Sequence, residues 1–572
     1  MNAKFKSILS GIIAVSFASI ISFGCSNPSV SNDPYAGKIF DKVKLYDSSK
    51  ITVDNGSKTF NDISAATVVA RMKSGWNLGN TLDAINGDEK TGRKDQPNNQ
   101  GLSSETSWGQ PETTEEMIKT IADSGIKTIR IPTSWSAHII DDKYTIDPQW
   151  MDRVKTIVDW AIKYNMYVIL NVHHDNVGAG TLTYGKGYCP NEADMDESQR
   201  FLYNVWSQIA ATFNNSYDEH LIFETINEPR LPGDQHEWGW NANCETCKNS
   251  MYIINKYNQL CLDAIRETGG NNTKRIVMVP SYVASPNAAW DAYSTGIFKF
   301  PTDPSGTGKI ALSVHMYSPY NFAMESPGST IFTEAHKNDL AGMFSRLKND
   351  FISKGYPVVV GEMGATNKNN LSERESWFQF FAEKAKEYNC SIVLWDNGNY
   401  EVSGSDYSEH FGYFNRNNYT WYFPSLITTM VNAIGESSDP TSKTIWTGTK
   451  DLKHWNGEDG ITLDSSNFST ATDSTKIRFT ISIGAECTAI DNGSPCTNNY
   501  STIHPITAWP DENNDGNITF PEANTNHQLS VSPSASASTV TISPDSTSWT
   551  TIKSKGLIIY GHKVVITKIE LL

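Results

Sequence analysis

The chain has 572 residues, with 47 Lys and Arg against 63 Asp and Glu and a formal net charge of −16. So acidic a balance excludes a nucleic-acid binder that works through a basic footprint. Aromatic residues make up 11% of the chain and charged residues only 19%, which excludes disorder as its general state.

In chain order, Lys4 and Lys6 precede an apolar stretch from Ile8 to Phe23, the pattern of an export signal over residues 1–24. Ser22-Phe23-Gly24-Cys25 then looks like a bacterial lipobox with Cys25 as the acylated first residue of the mature chain. Plain cleavage near Gly24 is the alternative. No other run approaches the ~20 apolar residues that span a bilayer, so the expected product is extracellular or a cell-surface lipoprotein. Eight cysteines are too few for a disulfide scaffold in a chain of this length. Cys244-Glu-Thr-Cys247 reads as a local disulfide or loop clip, and Cys487 and Cys496 as a bridge across a hairpin.

Residues 25–60 are rich in Ser, Asn and Asp and read as a spacer. From 61 to 437 two patterns alternate. Short apolar or β-branched runs occur at Gly75–Asn80, Thr128–Ile131, Tyr167–Val172, Leu221–Asn227, Arg275–Pro280, Ala311–Tyr317, Pro357–Glu362 and Ser391–Asp396. Helical stretches separate them, the clearest from Asp147 to Asn165, with Asp147 as N-cap, Pro148 at the first position and Trp150, Val154, Ile157 and Ala161 at helical spacing. The helix after Pro280 is the weak one. Eight strands, each leading into a helix, predict a (β/α)8 barrel rather than a doubly wound sheet. Residues 441–572 change character: Ser/Thr-rich alternating strands without a convincing helix predict a smaller all-β sandwich.

Chemistry in such a barrel gathers at the C-terminal strand ends. Those ends carry Asn80, Arg130, His173, His174, Asn227, Glu228, His315, Tyr317, Glu362 and Trp395. A barrel serving only as scaffold would not be expected to finish so many strands with ionisable or aromatic groups. Glu228 and Glu362, after the fourth and seventh strands, are the pair that glycoside hydrolysis requires, one protonated as acid and one ionised as nucleophile. Neighbours must separate their pKa values, and Arg130 can hold one of them ionised. His173-His174 lacks the spacing of a zinc helix motif, and a sugar site is the preferred role for it.

The ordered segments GWNLGNTLDA (75–84), ETSWGQP (105–111), IRIPTSW (129–135), ILNVHHD (169–175), LIFETINEPR (221–230), SVHMYSPYNF (313–322), PVVVGEMGA (357–365) and VLWDNG (393–398) resemble glycoside hydrolase family 5, most closely its bacterial endoglucanases. The resemblance implies Glu228 as acid/base, Glu362 as nucleophile, and Arg130, His173, Asn227, His315, Tyr317 and Trp395 as the remaining core positions. Asn80 and His174 are expected substrate contacts. No cofactor is implied for catalysis, the implied partner is a β-glucan polysaccharide, and a monomer is the working expectation. Xyloglucanase, xylanase or mannanase activity on the same barrel is the alternative, and a non-catalytic surface glycan-binding lipoprotein is the rival from another class. The loops add Trp108, Trp135, Tyr184, Trp238, Trp240 and Tyr320, each either a cleft ring or a core ring.

The C-terminal module resembles carbohydrate-binding sandwiches, with Trp446, Trp455, Trp509, Trp549 and Tyr560 as candidate stacking rings; a spacer domain with buried aromatics is the alternative. Asp511, Asn513, Asp515, Asn517, Thr519 and Glu522, with Gly516 at the sixth place, fit the calcium-loop template. Pro521 and the lack of flanking helices speak against an EF-hand, and a polar hairpin loop is the other account of the stretch.

Overall fold

The computed structural model describes residues 33–38, 40, 42–85, 101–178, 187–402, 404, 406–435, 443–452, 460–473, 475–484, 490–491, 494–495, 501–510, 516–533 and 538–572. The chain divides into residues 1–39, described only as a turn at 33–38, and Phe40–Leu572. The export signal and Cys25 lie outside the described residues.

Eight parallel strands close a barrel in sequence order: β1 (Ser74–Asn77), β2 (Thr128–Ile131), β3 (Tyr167–Asn171), β4 (Leu221–Glu224), β5 (Val277–Pro280), β6 (Ile310–His315), β7 (Val358–Met363) and β8 (Ser391–Leu394). Every residue of these strands is buried, which explains their near-continuous apolar runs. Closure sets Gly75 between Thr128 and Val393, where an added Cβ would come within 3.0 Å of both neighbours. Several strands end short of the sequence expectation. β1 stops at Asn77 and β4 at Glu224, so Asn80, Asn227 and Glu228 stand on the loops just past the strands.

The helices that alternate with the strands carry the caps that the sequence signals. Asp147 accepts the amide of Gln149 at the start of Pro148–Lys163, and Thr333 forms a capping box with His336 ahead of Glu334–Asp350. The helix after β5 is short, Pro286–Ser294, capped by Ser285 and led by Pro286. One helix was not expected: α1 (Ala65–Met72) precedes β1 and is capped by Ser64. Its Val68, Val69 and Met72 share a buried cluster with Ile169, Ile222, Met278, Ala311, Val359 and Val393 of the barrel interior. The N-terminal mouth is thereby plugged with apolar side chains. The supposed spacer is also structural over 42–61. Asp54 and Lys58 give backbone hydrogen bonds to Ala211 and Asn215, and the Asp54 carboxylate accepts the amides of Asn214 and Ser216. Part of its polar composition serves these contacts, while most of the segment stays exposed.

Beyond residue 443 lie two four-stranded antiparallel sheets. One orders Lys443–Leu452, Val564–Leu571, Ile477–Ile483 and Ser538–Ile542; the other orders Ile461–Leu463, Leu557–His562, Ser501–Ile506 and Leu529–Val531. Phe468, Phe479, Ile503, Trp549, Ile559 and Ile566 form part of their shared core. The module also holds a helix, Ser546–Lys555, against the expectation of none. Asp545 caps it, and its Trp549 and Ile552 sink into the core. A Ser/Thr-rich segment has weak helix propensity, so tertiary burial decides its state. Among the described residues Cys189, Cys244, Cys247, Cys261 and Cys390 are free, so the expected Cys244–Cys247 clip is not formed. The two residues open the helix Glu245–Glu267, Cys244 as its N-cap and Cys247 with a buried thiol in its first turn. Cys487 and Cys496 lie outside the described residues.

Candidate active site

The upper barrel interior is polar. Asn77, Arg130, Asn171, Glu224 and Ser313 come from five strands and are fully buried. A buried guanidinium needs an acceptor for each N–H direction, and Arg130 finds four side chains. Its Nε donates to Glu224 Oε2 at 2.8 Å, Nη1 to Asn77 Oδ1 at 2.9 Å and to Glu362 Oε1 at 2.8 Å, and Nη2 to Asn227 Oδ1 at 2.7 Å. Glu224 further accepts Asn171 Nδ2 at 2.9 Å and Ser313 Oγ at 2.5 Å.

Above this layer Glu362 also accepts the Tyr317 hydroxyl at 2.8 Å. Glu228 stands on the facing side with His315 Nδ1 2.6 Å from its Oε1, and the same nitrogen is 3.5 Å from Glu362 Oε2. One oxygen of each glutamate and the His315 nitrogen all lie within 4.8 Å of one another. The Glu228 side chain is 19% exposed and that of Glu362 7%.

A bulge aims Glu362. Register shifts fall between Val314 and His315 on β6 and between Val360 and Met363 against β8, so the ladder breaks at Gly361 and Glu362. Such an insertion re-directs a side chain at the cost of ladder bonds. Asn77 Nδ2 compensates by donating to the Gly361 carbonyl at 3.0 Å.

The rest of the rim completes the cleft. His173 packs parallel to Trp395, with ring centroids 5.9 Å apart, and edge-on to His174 at 4.4 Å. Trp395 lies over Gly79, where a Cβ would come within 2.9 Å of the ring, so this glycine is required by close approach. Asn80, at φ +54°, donates its amide to Asp83, whose buried carboxylate also accepts the Thr81 amide and lies 3.7 Å from His174 Nε2. Burial, partly offset by these amides, raises the Asp83 pKa to about 6. Asp83, His173 and His174 form one of two described clusters whose ligand atoms could gather around a metal ion; Glu228, His315 and Glu362 form the other.

Glu228, His315 and Glu362 shift one another's titration. Burial disfavours the charged imidazole, yet Glu362 and Glu228 outweigh it and raise the His315 pKa above its ordinary 6.5. Burial pushes Glu228 upward, but the bond to His315 holds it below the ordinary 4.5. Glu362 is raised, because burial and the nearby Glu228 charge exceed the lowering by His315, Arg130 and Tyr317. Each of the three lies against another, so they titrate together rather than singly.

All ten strand-end residues expected at the site thus lie together at the C-terminal end of the barrel, with Arg130 fully buried beneath the others. Glu224, Asn77, Asn171, Ser313 and Asp83 escaped sequence reasoning. For the four strand residues the signal was a polar residue inside an apolar barrel run, as Glu224 is within Leu221-Ile-Phe-Glu224, whereas Asp83 stands on the loop after β1. Of the loop rings, Trp135 is core and donates to the Asn171 carbonyl, Trp108 donates to the Ile85 carbonyl, and Trp240 packs on Tyr282. Trp238 and Tyr320 are exposed, and Tyr184 lies outside the described residues.

In the C-terminal module Trp549 is core, Trp446 packs half-buried against it, and Tyr560 is buried beneath Trp509, which is 41% exposed. Trp455 lies outside the described residues, as do Asp511, Asn513 and Asp515 of the calcium template. The remaining template residues face separate partners. Asn517 Oδ1 is 2.9 Å from His504 Nε2, the Thr519 amide donates to Ser548, and the Glu522 carboxylate accepts the amide and hydroxyl of Ser543.

Comparison with known proteins gives a consistent set. The family described as Cellulase (glycosyl hydrolase family 5) matches residues 89–401. Endoglucanase B of Neocallimastix patriciarum is 38% identical over 67% of this chain and 74% of its own length. Endoglucanase 1 of Ruminococcus albus is 39% identical over 64% of this chain and 80% of its own. A broad-specificity endoglucanase from Ruminococcus champanellensis, solved with bound cellotriose, superposes with a TM-score of 0.57 at 38% identity, covering 65% of this chain and 100% of that one. A family 5 lichenase from Caldicellulosiruptor sp. F32 in complex with cellotetraose gives 0.57 at 35% identity, covering 67% and 99%.

Proposed function

This chain belongs to glycosyl hydrolase family 5 and is a glycoside hydrolase, and from that premise we propose that it is an exported, retaining endo-β-1,4-glucanase. The observation that carries the proposal is the approach of Glu228 and Glu362 oxygens to within 4.8 Å of each other. Retaining enzymes hold their carboxyls about 5–5.5 Å apart, whereas inverting enzymes leave about 6.5–9.5 Å for a water.

In the first step Glu362 attacks the anomeric carbon, the bond to the leaving oxygen breaks, and Glu228 delivers its proton to that oxygen. In the second, Glu228 takes a proton from water, the resulting oxygen attacks the same carbon, and the bond to Glu362 breaks. Arg130 and Tyr317 hold Glu362 and stabilise it as leaving carboxylate. His315, with Nδ1 2.6 Å from Glu228 Oε1, is placed to exchange a proton with it. Asn227, with its oxygen committed to Arg130, has its amide nitrogen for the sugar 2-hydroxyl. Trp395 offers its face to a pyranose ring, with Asn80, His173 and His174 beside it.

Glu362→Gln and Glu228→Gln should each lower kcat at least about a hundredfold while leaving thermal unfolding near the parent value. Normal turnover by either variant would refute the assignment. Azide should partly restore Glu228→Ala on an activated aryl glycoside, where acid help is scarcely needed. Reducing-sugar release across carboxymethylcellulose, mixed-linkage glucan, xyloglucan, xylan and mannan separates the β-glucanase from its xyloglucanase, xylanase and mannanase alternatives.

Export rests on Lys4, Lys6 and the apolar run to Phe23, and tethering on Cys25; labelled fatty acid appearing on the wild-type chain but not on Cys25→Ala tests the latter. No described helix is long and apolar enough to cross a membrane. The C-terminal module is proposed to bind glycan through Trp509. A structural calcium in the 511–522 loop would require Glu522 to exchange Ser543 for the ion, and a melting temperature unmoved by calcium would dismiss it.

A further inference from the structure

Where the barrel closes, the ladder between β1 and β8 ends at Trp76 opposite Leu394. Just past its end Gly79, Thr81, Trp395 and Asp396 are all buried. Buried carbonyls beyond a ladder need other donors, and here one side chain supplies them. Arg416, 3% exposed, stands in the turn between Phe414–Asn415 and Thr420–Trp421. Its Nη1 donates to the Gly79 carbonyl at 2.8 Å and to Thr81 Oγ1 at 2.7 Å, and its Nη2 donates to the Asp396 carbonyl at 2.7 Å. The guanidinium carbon is 5.2 Å from the Trp76 ring centroid, and the Asp396 carboxylate, 3.7 Å from Nη2, supplies a counter-charge.

Both of those carbonyls frame Trp395. Asp396 is the residue through which the main chain leaves the tryptophan. Gly79 is the backbone on which the indole rests, since a Cβ added there would come within 2.9 Å of the ring and 2.8 Å of the Asp396 carbonyl oxygen. Arg416 therefore fixes the root and the seat of one ring together. That ring is tied to the site: the Trp395 amide donates to the carbonyl of Met363, the neighbour of Glu362, at 2.8 Å, and the indole lies parallel to His173. A lysine at this place could reach one carbonyl, whereas joining two loops takes the planar fork of a guanidinium.

We propose that Arg416 is a positioning residue for the reaction: by joining Gly79 to Asp396 it sets the place of the Trp395 ring beside Glu362, and through it the place of the sugar that the nucleophile attacks. Its own contacts are to the protein alone. This inference rests on the reading of Trp395 as the face that receives a pyranose ring.

The test is a double-mutant cycle between Arg416 and Trp395, read on para-nitrophenyl β-cellobioside well below the unfolding temperature of every variant. Arg416→Met should lower kcat about tenfold and leave KM within about threefold, because a displaced platform still binds the ring but holds it out of line. Arg416→Lys should lose less. In the Trp395→Ala background the same Arg416 substitutions should cost no more than about twofold further, because the ring through which they act is gone. Full kcat in both Arg416 variants, whatever their melting temperatures, would mark the residue as purely structural. Losses that add undiminished to that of Trp395→Ala would show that it acts elsewhere; either result overturns the proposal. Arg416→Lys carries the same comparison if Arg416→Met does not fold. Unchanged kinetics of Trp395→Ala alone would instead remove the sugar role of Trp395, and this inference with it.

Discussion

Glu362 meets a permanent cation and a phenol, whereas Glu228 meets an imidazole that can give or hold a proton. The two limbs of the pH–rate profile follow from that difference. The nucleophile must be ionised, and the Glu362 pKa is raised, so activity should fall on acidification at a pH above the ordinary Glu value of 4.5. The acid must be protonated, and Glu228 is hydrogen-bonded to a His315 whose pKa is raised, so the alkaline limb should follow that pair above 6.5. A kcat/KM profile measured from pH 4 to 10 checks both, and His315→Asn should pull the alkaline limb downward. Glu224 bears on the same balance, because it shares Arg130 with Glu362. In Glu224→Gln the guanidinium charge acts on Glu362 undivided. The acid limb should then move to lower pH, kcat should fall, and stability should drop toward the ~3 kcal/mol end of the range for broken buried pairs. An unshifted acid limb would mean that Glu224 only fills space.

At the scale of elements, a strand irregularity and an unexpected helix matter most. The bulge at Gly361 and Glu362 turns the proposed nucleophile toward Glu228 and leaves a carbonyl to be satisfied by Asn77. Asn77→Ala removes that donor and one acceptor of Arg130 together. It should cost about 1–3 kcal/mol in a denaturant titration and lower kcat by more than it changes KM. In Pro357–Glu362 the one local hint of the bulge is Gly361 ahead of Glu362, because an isolated glycine in a strand often marks one, but the pairing partners that fix it lie on other strands. The segment Ala65–Met72 is short and was hidden for a related reason: its apolar face has meaning only against the barrel floor it closes. Strands β2 and β3 and the helix after Asp147 were legible because their local signals, a β-branched run or a cap with helical periodicity, agree with their tertiary surroundings.

For the molecule as a whole, the barrel brings the chemistry and the sheets beyond 443 are proposed to bring retention on polymer. Trp509→Ala should weaken migration delay in a glucan affinity gel, and unchanged mobility would leave the module a spacer. Eight apolar runs alternating with helical stretches were enough for the sequence by itself to determine the barrel, and residue types at seven of the strand ends picked out the residues that meet there, since each stands at a fixed offset from an apolar run. Only the tertiary structure decided which partners those residues meet: that Glu224 divides Arg130 with the nucleophile, that His315 lies between both carboxylates, that Trp135 and Trp549 are core while Trp238 faces solvent, and that residues 42–61 pack on the barrel. Hydrogen-bond partners and burial depend on side chains from strands up to 320 residues apart, as in Trp76 with Asp396, and no local pattern encodes a meeting at that separation.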